Sequence, residues 1–362
     1  MSRFFPLTIA RIDRETRDAV AITFAVPPEL APAFRFAPGQ HLTVRTHIDG
    51  LEVRRSYSVC AGTHENRLRI AIKRNAGGFF SNWANEHLHA GDTLEVLPPL
   101  GHFHVPLDPG HRKHYLAFAA GSGITPVLSV VASTLASEPH SRFTLVYGNR
   151  ASSTVMFREE LAALKDIHLD RFNLVHILSR EAQDIPLFHG RIDRDKVGAL
   201  IRHWIPVDDV DTVFVCGPEG MMQSVKEALV AAGVAQARIR IERFATSVPR
   251  HEHHPHALPA AVSSDCEVTV VLDGITRMFP LDKRTESILE AGLKAGIELP
   301  YSCKSGVCST CRAKLVQGEV DMDANYALED YEVARGFVLT CQSYPVTDTV
   351  TVDYDQGSTG AS

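Results

Sequence analysis

The 362-residue sequence predicts a multidomain chain: an antiparallel β-barrel, then an α/β domain on a parallel sheet, then a small α+β module. Three observations predict this order. Short strand runs separated by Gly and Pro turns fill the N-terminal part. Buried-strand runs alternate with helical stretches after Pro109-Gly110. A tract without either period then precedes a return to strands, one helix and a loop dense in cysteine.

The barrel is read from TIARI, AVAITFAV, HLTVRT, RSYSVC, RLRIAIK and DTLEVLPP, with turns at Pro38-Gly39, Asp49-Gly50, Gly77-Gly78 and Gly91-Asp92. The parallel sheet is read from HYLAFAA, RFTLVYG, NLVHILS and TVFVCG, with helices at PVLSVVASTLAS and GMMQSVKEALVAAG. The tract ATSVPRHEHHPHALPAAVSSD reads as a linker, and its HEHHPH run as solvated chain rather than a metal site. CEVTVVLDGITRMFPL then supplies strands and SILEAGLKAG a helix. The expected boundaries are 1–108, 109–246, a linker over 247–265, and 266–358.

Composition excludes several classes. Hydrophobic residues make up 44% and charged residues 22%, as in a globular protein rather than a disordered one. The longest apolar tract, Leu116 to Leu135, is broken by Gly121, Ser122, Gly123, Thr125 and Pro126, so no membrane span is expected. The first residues lack an apolar core like that of a signal peptide. Seven cysteines, an odd number with four bunched, argue against a disulfide framework and for a reducing cytoplasm. The net charge of −6 is uneven: Cys266 to Ser362 carries 15 Asp/Glu against 8 Lys/Arg, leaving a near-neutral body and no sign of nucleic-acid binding.

Cys303, Cys308 and Cys311 follow the pattern C-x4-C-x2-C, and Cys341 follows after 29 intervening residues. Zinc sites favour paired C-x2-C hooks, and only one is present. A short loop with Gly306 and the small Ser302, Ser305 and Ser309 can wrap a cluster and aim backbone N–H groups at its sulfurs. The fourth thiolate is expected from a distant strand. This segment resembles a plant-type ferredoxin domain, which implies a β-grasp-like fold and a 2Fe-2S cluster carrying one electron at a time.

Arg54-Arg55-Ser56-Tyr57-Ser58 ends an early strand and resembles the flavin signature of the ferredoxin–NADP reductase superfamily. A flavin needs a cation for its pyrophosphate, an aromatic face and a hydrogen-bond donor near N5; Arg55, Tyr57 and Ser58 can supply these, beside Ser56. Gly77-Gly78-Phe79-Phe80-Ser81 is a Gly-Gly turn opening a helix, where backbone amides can hold phosphate. The resemblance implies that Gly77, Gly78, Phe80 and Ser81 bind the pyrophosphate, with Ile72 and Lys73 along the ribityl chain.

Gly121-Ser122-Gly123-Ile124-Thr125-Pro126 joins a strand to a helix, as in the GxGxxP turn of that superfamily. Gly121, Ser122, Gly123 and Thr125 are then nicotinamide-nucleotide residues. Cys216, Gly217 and Pro218 match the C-G-P segment beside the hydride-transfer site. Arg150, Ser179 and Arg180 end the next two strands; arginines there suit a 2′-phosphate and point to NADPH over NADH. Glu242-Arg243-Phe244 resembles a terminal Glu-x-Phe, with Phe244 covering the flavin ring. Ser58, Cys216 and Glu242 are the expected catalytic residues.

Beyond the motifs, FAPGQHLTVR, GGFFSNWAN, LAFAAGSGITPVLS, VMFREEL, FVCGPEGMM and ALEDYEVARGFVLTCQSYP are similar to the reductase-subunit family of phenylacetyl-CoA 1,2-epoxidases, over about Phe4 to Val352. His102, where an Arg is common, and the His-rich linker depart from its pattern. The resemblance implies electron flow from NADPH through FAD and the 2Fe-2S cluster to a di-iron oxygenase complex that epoxidises phenylacetyl-CoA. The chain has no paired Glu-x-x-His set, so oxygen chemistry is expected in the partner. A reductase for a steroid or aromatic-ring hydroxylase, and an electron carrier with a vestigial reductase, remain alternatives. Glu319, Asp321, Asp323, Glu329, Asp330 and Glu332 make an acidic stretch expected to dock that partner.

Overall fold

Strands open the chain: β1 (Phe5–Thr16), β2 (Ala19–Ala25), β3 (His41–Ile48), β4 (Leu51–Ser58), β5 (Leu68–Lys73) and β6 (Thr93–Val96), with helix α1 (Phe79–His87) before β6. They form an antiparallel sheet in the order β4-β3-β6-β1-β2-β5. Its two ends are joined just past β4, where Val59 bridges Ile70 of β5 and Cys60 N donates to Arg69 O at 2.8 Å. That junction makes the sheet a barrel, as the evenly spaced strands predict. The structure, a computed structural model, describes residues 3–245 and 264–356. The HEHHPH run and most of the expected linker lie outside the described residues.

Five parallel strands follow: β7 (His114–Ala120), β8 (Arg142–Asn149), β9 (Phe172–Leu178), β10 (Thr212–Cys216) and β11 (Ile239–Glu242), ordered β11-β10-β7-β8-β9. After His114 and Thr212 at their starts, β7 and β10 are apolar, as strands covered by helices on both faces are. Helix α2 (Ile124–Ser137) is buried from Ile124 to Leu135, as expected for an element apolar all round. Helices α3 (Arg158–Ile167), α4 (Arg194–His203) and α5 (Glu219–Ala231) complete the layers. The sequence reading identified α2 and α5 and passed over α3 and α4. Those two bury only Leu161, and Val197 with Leu200, so their apolar stripes are too narrow to stand out.

The C-terminal sheet is mixed. β12 (Asp265–Leu272) pairs antiparallel with β13 (Ile275–Asp282) and parallel with β18 (Thr349–Asp353); β14 (Arg312–Gln317) and β16 (Phe337–Leu339) extend it, in the order β13-β12-β18-β14-β16. Alternate residues Cys266, Val268 and Val270 face a core shared with Phe279, Leu281, Ile288 and Leu289. Helix α6 (Ile288–Lys294) starts at a capping box in which Ser287 Oγ accepts from Glu290 N. A small ribbon of β15 (Val320–Met322) and β17 (Ser343–Pro345) and the short helix α7 (Asp330–Ala334) complete this part.

Packing divides the chain into two units: Phe5–Val44 with Tyr57–Arg243, and Met1–Phe4 with Arg45–Ser56 and Phe244–Ser362. Most of the β3–β4 hairpin therefore belongs with the C-terminal sheet.

Candidate functional site

The cysteine loop is built by three left-handed residues in sequence order, Lys304 (φ 53°), Gly306 (φ 73°) and Ser309 (φ 49°). Such backbone turns amides inward. Ser305 N donates to Cys303 Sγ at 3.3 Å and Cys303 N to Cys308 Sγ at 3.4 Å. A Cβ at Gly306 would lie 2.8 Å from Ala324 O, so glycine is required both by φ and by space. Cys308, Cys311 and Cys341 are buried and Cys303 half-buried.

The four sulfurs fall into two pairs. Cys303 shares a hydrogen bond with Cys308, and Cys311 with Cys341. Those bonds come first, burial second and the charge of neighbouring sulfurs third in holding the Cys303 and Cys311 protons well above the ordinary thiol range. Among the described residues no three His, Cys, Asp or Glu side chains close round one point as a single ion requires. Two plus two is the donor set of a binuclear cluster, whose cationic irons reverse the crowding of four thiolates. Cys341 sits in the turn between β16 and β17, not on a strand as expected. A turn lets it be fixed from both sides: Thr340 N and Oγ1 donate to Cys311 O at 3.2 and 3.0 Å, and Gln342 Nε2 donates to Lys304 O and Cys341 O.

On β4, Arg55 is exposed and donates from Nη1 to its own strand at Arg54 O (2.7 Å); Ser56 and Tyr57 are half-buried and Ser58 is buried. The Tyr57 ring lies 5.8 Å from that of Phe80, which is fully buried in α1. Gly77 and Gly78 lead into that helix, whose N-terminus has no side-chain cap, so its first amides are open to an anion. Ser81 Oγ accepts from Asn75 N at 3.1 Å and braces the turn. On β5, Ile72 is buried with its carbonyl taken by Asn85, and Lys73 Nζ lies 3.8 Å from Asp18.

In the parallel sheet the order reverses between β7 and β10, where ligands sit at the carboxyl ends of such sheets. Gly121, Ser122 and Gly123 end β7 in one 3-10 turn, and Cys216, Gly217 and Pro218 end β10. The two ends meet: a Cβ on Gly123 would lie 2.2 Å from Cys216 O. Thr125 Oγ1 donates to Ser122 O at 3.0 Å, and Tyr147 OH to Gly121 O at 2.9 Å, holding the turn. Burial, then the charge of Glu242 beside it on β11, keep the Cys216 thiol protonated far above its usual range. Glu242 and Phe244 are half-buried.

Arg150 and Arg180 are exposed after β8 and β9, where Ser179 N donates to Asn149 O and Arg180 N to Arg150 O. The sequence reading missed Glu181, which follows directly. Its carboxylate accepts from Ser152 N and Oγ at 2.7 and 2.9 Å, and those bonds lower its pKa. Ser152 lies 29 residues from Glu181 in sequence, so no local pattern signals that contact. In the acidic stretch Glu332 is a correction: it is 1% exposed and ion-paired with Arg312 at 3.0 Å. It belongs to α7's capping box, accepting from Glu329 N, not to a docking surface.

Three family models match: an oxidoreductase FAD-binding domain over residues 6–105, an oxidoreductase NAD-binding domain over 118–227 and a 2Fe-2S iron-sulfur cluster binding domain over 270–346. The cofactors are therefore FAD, NAD(P)H and a 2Fe-2S cluster, and the open α1 amides, the β7–β10 crevice and the paired sulfurs fit them. One of the subunits of 1,2-phenylacetyl-CoA epoxidase from Escherichia coli (strain K12) is 47% identical over 98% of this chain and 99% of its own. The ferredoxin reductase component of 3-ketosteroid-9-alpha-monooxygenase from Rhodococcus rhodochrous is 34% identical over 98% and 97%. The crystal structure of phthalate dioxygenase reductase covers 97% of this chain and 98% of its own, at 25% identity and a TM-score of 0.56.

Proposed function

Because the chain belongs to the family of oxygenase reductases that includes this Escherichia coli protein, we propose that its acceptor is the oxygenase of a phenylacetyl-CoA epoxidase complex. It is an oxidoreductase that passes electrons from NAD(P)H to an oxygenase. The observation that carries the specific reading is end-to-end identity of 47% to the epoxidase protein, against 34% to a steroid-oxygenase reductase. The partner's metal site is proposed to be di-iron. A cytoplasmic location is proposed as well, supported by seven cysteines free of disulfides. No helix among the described residues is long and apolar enough to cross a membrane.

Bound FAD would supply the conversion of a two-electron hydride from NAD(P)H into single electrons for the cluster. Arg55 and the open amides after Gly77-Gly78, with Phe80 and Ser81 bracing them, hold the flavin pyrophosphate. Tyr57 faces the ring system, Ser58 donates near its reactive nitrogen, and Ile72 and Lys73 line the chain between. Ser56 lies between Arg55 and Tyr57 on that strand. Gly121, Ser122, Gly123 and Thr125 hold the nicotinamide nucleotide, and Cys216, Gly217 and Pro218 border the reacting ring. Burial of a protonated Cys216 keeps charge and water from that ring. Glu242 pairs beside Cys216 on β11, and Phe244 is the residue proposed to cover the flavin ring. Arg150, Ser179 and Arg180 read a 2′-phosphate, which favours NADPH. Cys303, Cys308, Cys311 and Cys341 ligate the cluster. Boundaries near 108, 246 and 266 enclose the three matched domains.

The test is a coupled assay. The purified chain, NADPH and the oxygenase subunits of a phenylacetyl-CoA epoxidase should form epoxide from phenylacetyl-CoA. Turnover with a 3-ketosteroid oxygenase and none with the epoxidase would reassign the acceptor.

A further inference from the structure

Glu52, Arg54 and Ser56 occupy alternate positions of β4 and so share one face. All three touch the segment that leads into Cys303. Arg54 is 4% exposed at its side chain. Its Nε donates to Glu52 Oε1 at 2.8 Å and its Nη1 to Leu299 O at 3.3 Å. The guanidinium lies over the Tyr301 ring, 4.1 Å from its centroid. Tyr301 OH donates to Glu52 Oε1 at 3.3 Å, and Ser56 Oγ to Ser302 Oγ at 2.9 Å. Arg45 adds an ion pair to Glu298 at 2.6 Å.

A buried guanidinium is costly unless its fork is filled, and here a carboxylate, a carbonyl and an aromatic face fill it. Both elements it joins are named in the functional reading. The alternate positions of the same strand are Arg55 and Tyr57, assigned above to the flavin, and Ser302 precedes the first cluster ligand. We propose that Arg54 is a positioning residue for the one-electron step: it clamps the Glu298–Ser302 segment, which leads into Cys303, to β4 and so holds the cluster loop in place. In that step the reduced flavin loses one electron and the oxidised cluster gains it; Arg54 exchanges neither electron nor proton. The inference rests on the flavin and cluster assignments made under the proposed function.

The test uses the full-length holoprotein and the variants Arg54→Lys and Arg54→Gln. Lysine keeps the charge and loses the planar fork and the stacking. Anaerobic mixing with NADPH separates flavin reduction from cluster reduction. Cluster reduction should slow by about tenfold or more, the scale on which small misplacements act. Flavin reduction, iron and sulfide content and the cluster's EPR spectrum should stay as in the parent. Amide exchange over residues 299–303 should quicken by about tenfold as that segment comes loose. Should the Arg54 variants not fold, Tyr301→Leu removes the ring and hydroxyl from the same clamp and should give the same split.

Unchanged cluster reduction, with or without faster exchange, overturns the inference. So does parallel slowing of both phases, which would make Arg54 a support of the flavin site. Wild-type protein lacking FAD or cluster would defeat the underlying reading and this inference with it; failure of the clamp alone leaves cofactor content and flavin reduction intact.

Discussion

The cysteine loop and the β7–β10 crevice each need a glycine at a close approach, yet they are built on opposite plans. In the loop, three ligands lie within nine residues and local backbone does the work: left-handed Lys304, Gly306 and Ser309 aim amides at sulfur. In the crevice, Gly123 and Cys216 are far apart in sequence and meet only because β7 and β10 are neighbours in register. A local site survives disturbance elsewhere and fails when one ligand is lost. A site assembled by strand order has no ligand of that weight and fails when its backbone is spread. The one-electron and two-electron halves of the chemistry should therefore be separable by mutation.

Cys308→Ser should break the loop alone and has the largest expected effect. Iron and acid-labile sulfide should fall from near two per chain, and cytochrome c reduction should be lost, while NADPH still bleaches the flavin. Loss of flavin reduction as well would show that the two halves are not separable. Gly123→Ala should break the crevice alone. Its Cβ would lie 2.2 Å from a backbone oxygen, so the strand ends must spread. Overpacking of that kind costs about 1–3 kcal/mol. Thermal unfolding should shift down and NADPH-dependent flavin reduction fall steeply, with cluster content unchanged.

Two further changes probe narrower differences between the halves. Neutralising Arg150 and Arg180 together should raise the KM for NADPH by about tenfold or more, at roughly 1.5–3 kcal/mol per charged hydrogen bond, and leave NADH little changed. Equal wild-type efficiency with both nucleotides would end the 2′-phosphate assignment. The smallest effect is expected at the acidic stretch. Asp321, Asp323, Glu329 and Asp330 as amides should slow electron delivery to the oxygenase only at low salt, since the screening length falls from about 30 Å at 0.01 M to about 10 Å at 0.1 M. Flavin reduction should be untouched. Wild-type turnover of the variant at limiting reductase and low salt would leave those side chains as solvated surface.

Short-range chemistry was legible in the amino-acid sequence: the cysteine spacing, the Gly-Gly and Gly-Ser-Gly turns and the strand periods. Each depends on residues within a few positions of one another, so the chain carries the whole signal locally. Long-range packing supplied the rest. It sorted the sulfurs into Cys303–Cys308 and Cys311–Cys341 and put Cys341 in a turn, because the ligand's place depends on where β16 ends against β14. It removed Glu332 from the acidic face by burying it against Arg312, a distant partner that no period predicts. It closed Gly123 on Cys216 through strand order. It turned Arg54, unremarked beside Arg55, onto Tyr301, because alternation along β4 sends neighbouring arginines to opposite faces and only the packing partner says which face is buried.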